Sequence, residues 1–207
     1  MPMTTAIDYF KHTRLLDELR IKSSAIASAV NGIAFADLEG RVTYGNQAAL
    51  HMIGGYALEE ILGWSVLAFA DSQEEAARIF AEVLDVGNWV GEVAGRRKDG
   101  SMIVVHLSAS LVRGEDGEPL CTLCSFIDIT QTRNALEELR LKEQAIASSI
   151  NAIAFGDLTG RITYVNEAFL RLWGGDDASD AIGRTVFTFA QSEQDIERIL
   201  RDVFAQG

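Results

Sequence analysis

Leu16, Leu19, Ser23, Ile26 and Val30 recur at spacings of three and four, which predicts a helix over 8–30. Leu136, Leu139, Glu143, Ile146 and Ile150 repeat that seam further along, again with one polar position. A seam this short suits a coiled-coil pairing or a helix lying on its own domain equally well. After the first helix the periodicity changes. GIAFADLEGRVTYGN contains two short strands around Leu38-Glu39-Gly40, with glycine at the position that needs a positive φ. Helices are predicted over 46–52, 57–62 and 72–86; Gly54-Gly55 and Gly63 break the first two. Ser72 can cap the third, whose apolar face is Ile79, Phe80, Val83 and Leu84. Three longer strands then run through NWVGEVAGRR, MIVVHLSASLV and PLCTLCSFIDI, separated by Asp-Gly turns at Asp99-Gly100 and Asp116-Gly117. The order β-β-α-α-α-β-β-β predicts an α+β fold. A five-stranded antiparallel sheet carries helices on one face, with an N-terminal helix before it and a linker helix after it.

The chain also repeats itself at an offset of 120 residues. Residues 21–87 and 141–207 share 29 identities in 67 ungapped positions, too many for chance. The similarity extends upstream, where LLDELR mirrors ALEELR. The predicted organisation is an N-terminal helix over 1–20, a complete unit over 21–130, a linker helix over 131–145 and an incomplete unit over 146–207. Residues 88–130 have no counterpart in the second copy, so it lacks three of five strands. A two-stranded remnant exposes a sheet edge and an apolar helix face. The expectation is that 141–207 is disordered, borrows strands from another chain, or belongs to a longer protein.

Composition narrows the function classes. The formal net charge of -12 disfavours nucleic acid and anionic membrane as partners. The most apolar stretch, 25–36, is interrupted by Ser28, Asn31 and Gly32 and is too short to span a bilayer. No signal-peptide pattern opens the chain. Two cysteines, Cys121 and Cys124, exclude a disulfide scaffold and suit a reducing cytoplasm.

The stretches DLEGRVTYGN, Gly63-Trp64, GNWVGEVAGRRKDGS, GEDGEPL and Asp128-Ile129-Thr130, in that order and spacing, resemble the PAS domain family. The resemblance covers one whole domain, about 21–130, and the first half of another. It implies a cavity for a ligand or cofactor between sheet and helices, dimerisation through flanking helices, and coupling to a downstream output domain. It implies a non-catalytic, cytoplasmic sensory input module of a histidine kinase or related regulator. The alternatives are a flavin- or haem-bearing redox or gas sensor, and a dimerisation scaffold without a ligand.

Pocket candidates follow from strand phasing. Ile103, Val105, Leu107, Ala109 and Leu111 form one row, facing the helices; His106 lies on the other. The inward set is Ala34 and Ala36 from the first strand, Val66 and Phe69 after Gly63, and Ile79 and Val83 from the long helix. Trp89, Val105, Leu107, Cys124 and Phe126 complete it from the last three strands. This apolar set serves equally as a packed core or as the wall of a pocket for a small apolar ligand.

Haem-binding relatives use a histidine on the helix equivalent to 72–86, and this helix has none. His12 lies in the first helix, and His51 is replaced by Arg171 in the second copy. Light-sensing relatives need a cysteine where Val66 and Val186 stand; FAD without that cysteine, beside Trp89, is the remaining flavin reading. Cys121 and Cys124 sit three apart on a strand and so face opposite ways, which is no metal site. Asp37 and Asp157 are read as turn-stabilising. No phosphate-binding loop, Ser-His-Asp constellation, kinase phosphoacceptor or cyclase signature is found.

Overall fold

The structure, a computed structural model, describes residues 3–185 and residue 188; side chains are described from Arg14 onward, Leu15 excepted. The chain divides into two compact units, 1–133 and 134–207.

The first unit opens with α1 (Met3–Ala27), followed by β1 (Gly32–Ala36) and β2 (Val42–Gly45). Next come α2 (Gln47–Met52), α3 (Leu58–Ile61), a 3-10 turn (Val66–Phe69) and α4 (Gln73–Val86). Strands β3 (Asn88–Arg96), β4 (Met102–Arg113) and β5 (Pro119–Asp128) follow. All five strands pair antiparallel in the order β2-β1-β5-β4-β3. The α+β architecture predicted from the pattern is therefore present. The 3-10 turn is the one element that the periodicity did not announce, because four residues show no period.

Local chemistry explains the element ends. Gly40 turns the first hairpin at φ 76°. The Asp37 carboxylate accepts from the amides of Glu39 and Arg41, so the turn-stabilising reading of this aspartate holds. Ser72 caps α4 by accepting from the Glu75 amide, and Gly87 closes it in the left-handed conformation. The first helix ends at Ala27, short of the predicted residue 30, so Val30 falls beyond it and is exposed. The Asn46 side chain fixes this end: its Nδ2 donates to the Ile26 and Asn31 carbonyls, and its Oδ1 accepts from the Ile33 and Ala49 amides. One amide group thus uses its full bonding capacity to join α1, β1 and α2.

The second unit begins within α5 (Thr130–Ala147). Strands β6 (Ala154–Gly156) and β7 (Ile162–Val165), helix α6 (Glu167–Trp173) and a 3-10 turn (Ala178–Asp180) follow. The hairpin repeats the first in detail. The bulge between Phe35 and Ala36 recurs between Phe155 and Gly156. Asn166 makes the four bonds of Asn46, to Ile146, Asn151, Ile153 and Phe169. Asp157 repeats the turn of Asp37. Over 141–185 the second copy is thus a folded hairpin and helix rather than the disordered segment that was one of its expected states; 186, 187 and 189–207 lie outside the described residues. Among the described strands β6 pairs with β7 alone, and all three of its residues are exposed. Its small core is Ile162, Val165, Phe169 and Ala181.

Candidate functional site

An apolar cavity of about 190 Å³ lies inside the first unit, between the inner face of the sheet and α2, α3, the 3-10 turn and α4. Strand pairing builds its floor. Ala34 stands opposite Cys124, which stands opposite Ala109; Phe126 stands opposite Leu107. These residues share one face because side chains alternate along each strand.

Nine of the eleven pocket candidates line the cavity: Ala34 on β1, Val66 and Phe69 on the 3-10 turn, Ile79 and Val83 on α4, and Val105, Leu107, Cys124 and Phe126 on the sheet. The other two lie elsewhere. Ala36 is buried but is not part of the wall. Trp89 faces the same side of β3, yet its ring lies over Gly91, where an added Cβ would come within 2.6 Å of it. The ring is thereby spent on its own strand. Several wall residues were missed. Val93 follows from the two-residue period of β3, and Ile103 and Ala109 share the row already phased. Phe80 belongs to the apolar face of α4. Leu50, Ile53 and Ile61 come from helices too short for periodicity to reveal their inner side.

The wall is chemically spare. Its side chains are apolar except at Thr122, Cys124 and Arg96; Tyr44 borders it, but its ring packs on Phe35 on the other face of the sheet. Thr122 donates to the Ala36 carbonyl. Burial pushes the Cys124 thiol up from 9.0 to about 11, so it stays protonated at neutral pH. Arg96 lies at the rim, more than half exposed and paired with Asp71 at 2.7 Å. Among the described residues no buried side-chain nitrogen or oxygen lacks a hydrogen-bond partner.

This wall does not fit haem or flavin. No histidine lines it, and a protonated thiol is a poor iron ligand. His106 is exposed on the outer face of the sheet, and His51 is exposed on α2. The polar edge of an isoalloxazine ring would be buried without partners here. Val66 leaves no thiol for a flavin adduct. Cys121, the other half of the C-x-x-C, is on the outer face, and no cluster of three or more metal-ligating side chains occurs among the described residues.

The exit from this domain is polar. Phe126 lies two residues before Asp128, where β5 gives way to α5. Asp128 accepts from the Thr130 amide and hydroxyl and pairs with Arg97. The Thr130 hydroxyl also accepts from the Val104 amide on β4. Arg97 donates onward to the carbonyls of Met52, at the end of α2, and Met102. Burial works against the charge on Asp128, but Thr130 and Arg97 outweigh it and hold the carboxyl below its ordinary range. No helix among the described residues is long and apolar enough to cross a membrane.

The profile described as PAS domain matches residues 30–131 and 150–207. Among solved structures, the PAS domain of a protein from Colwellia psychrerythraea is 23% identical, covers 55% of this chain and 98% of its own, and has a TM-score of 0.50. The PAS domain of an HTR-like protein from Haloarcula marismortui is 22% identical, with 58% and 99% covered and a TM-score of 0.51. An RNA-binding Light-Oxygen-Voltage receptor is 21% identical at a TM-score of 0.53; 60% of this chain matches 36% of that one. At these identities the likeness is one of fold.

Proposed function

Because the chain belongs to the PAS domain family, we propose that it is a non-catalytic cytoplasmic input module that receives a small apolar ligand in the first unit and passes the signal along α5. One observation carries this reading: an apolar cavity shares Phe126 with the strand that ends at the Asp128–Thr130–Arg97 bracket. A ligand that moves Phe126 acts two residues from the start of the linker helix. The host protein is a histidine kinase or a related regulator, in which α5 or its continuation leads toward the output domain.

The module works as a homodimer through its flanking helices. Leu16 and Leu19 on α1, and Leu136 and Leu139 on α5, are exposed at seam positions, as helix pairing requires. A net charge of -12 does not suit the nucleic-acid binding named for one structural neighbour.

Mass spectrometry of small molecules released from the native protein tests the sensing role. An apolar compound recovered in stoichiometric amount, which raises the melting temperature when added back, supports it. Empty protein that responds to nothing in a broad ligand library leaves the scaffold reading in its place. For the dimer, a double variant Leu136→Glu and Leu139→Glu is expected to sediment as a monomer at micromolar concentration. Unchanged sedimentation refutes the seam.

A further inference from the structure

The cavity wall also constrains what the ligand is. We infer, resting on the sensing role proposed above, that the cavity takes an uncharged aromatic molecule of one or two fused rings that needs no hydrogen bond from the protein.

Three independent features lead there. The first is size. A volume of about 190 Å³ is slightly larger than the roughly 150 Å³ engineered apolar cavity that takes benzene or xenon. It is below the roughly 300 Å³ at which pockets for drug-sized ligands begin. The second is polarity. The one hydroxyl among the sheet side chains of the floor is already engaged, since Thr122 donates to the Ala36 carbonyl. Cys124 offers only a neutral thiol. The charge at the rim is cancelled, since Arg96 is held by Asp71. A carboxylate drawn into this space would be desolvated without a partner.

The third feature separates rings from chains. Phe69, Phe80 and Phe126 contribute to the wall, whereas the Tyr44 ring lies against Phe35, on the face of the sheet away from Ala34. Ring pairs in edge-to-face or offset contact attract beyond their buried area, and an alkyl chain forgoes that gain. Phe69 is itself held in place, edge-on to Tyr56 at 6.2 Å and stacked on Trp64 at 6.0 Å. The neighbour positions of this cluster do not recur in the second copy, where Asp176 and Arg184 replace Tyr56 and Trp64. The ring-binding wall is a property of the first unit.

The test uses the full chain with five probes: xenon, benzene, indole, indole-3-acetate and octan-1-ol. Xenon occupancy is read by 129Xe NMR and the others by calorimetry and thermal shift. Benzene and indole are expected to bind and raise the melting temperature, indole-3-acetate to bind on the order of 100-fold more weakly, and octan-1-ol more weakly than indole. Xenon uptake with indole-3-acetate or octan-1-ol binding as tightly as indole overturns the ligand class while leaving the cavity intact. Failure of xenon and of both neutral rings removes the sensing reading as well. Cys124→Phe fills the cavity and is expected to abolish indole binding with the far-ultraviolet circular dichroism unchanged; Ala109→Leu serves if that variant does not fold. Indole binding that survives filling overturns the assignment.

Discussion

Single residues with no freedom to change hold much of this structure. Asn46 is 2% exposed and makes four hydrogen bonds, so Asn46→Ala strands two carbonyls and two amides at once. The expected loss is about 2–4 kcal/mol, measured by urea denaturation of the first unit. Asn46→Asp keeps the two accepted bonds but sets a carboxylate against two carbonyls, and is expected to fall well short of wild type. Gly32 is constrained by packing rather than by its φ: an added Cβ would sit 2.5 Å from the Phe126 ring. Gly32→Ala is expected to lower stability by about 1–3 kcal/mol and to weaken ring binding in the cavity, because Phe126 must move. Its counterpart is Ala152, beside which no strand like β5 is described. Cys124 yields a pH prediction. Its folded value of about 11 exceeds the unfolded 9.0, so its contribution is complete below pH 9 and is lost as the pH rises toward 11. The loss is on the order of 2–3 kcal/mol, and it is expected to vanish in Cys124→Ala when both proteins are unfolded in urea across that range.

At the scale of elements, the decisive piece is the junction of β5 and α5. An ion pair in which both partners are mostly buried, with Thr130 bridging to β4, pins the first turn of the linker helix to the sheet. Asp128→Asn removes the charge while nearly keeping the shape. Amides in the first turn of α5 are then expected to exchange at least about tenfold faster with deuterated solvent, with β3 and β4 little changed. Because the folded carboxyl lies below its ordinary value, the bracket is intact above about pH 4 and is lost as pH falls through the lower folded value. Acid-induced loosening of this turn that Asp128→Asn does not remove would point to another group.

For the molecule as a whole, the two units have unequal means of support. The first closes a five-stranded sheet over a helical layer; the described part of the second buries a cluster of four residues and leaves β6 exposed. Denaturation is therefore expected to occur in two steps rather than one, with 134–185 exchanging first by hydrogen–deuterium mass spectrometry. A single cooperative transition across both units would contradict this.

Much of this was legible from residue order. The 120-residue repeat, the Asp-Gly turns, the Ser72 cap and the inward row through Val105 and Leu107 are local or periodic facts. The chain dictates them because turn chemistry and side-chain alternation act over a few residues. The same logic placed Cys124 inward and Cys121 outward. It failed where neighbours distant in sequence decide. Ala36 and Trp89 have the right phase, but only the assembled sheet shows one packed away from the cavity and the other folded over Gly91. The 3-10 turn is too short to carry a period, and α2 and α3 too short to show which side faces in. The sequence alone thus determined the elements, their order and the polarity of the interior. Whether that interior closes into solid core or leaves a space was decided by the tertiary structure, because a void depends on how distant side chains fill volume together, and no local pattern encodes that sum.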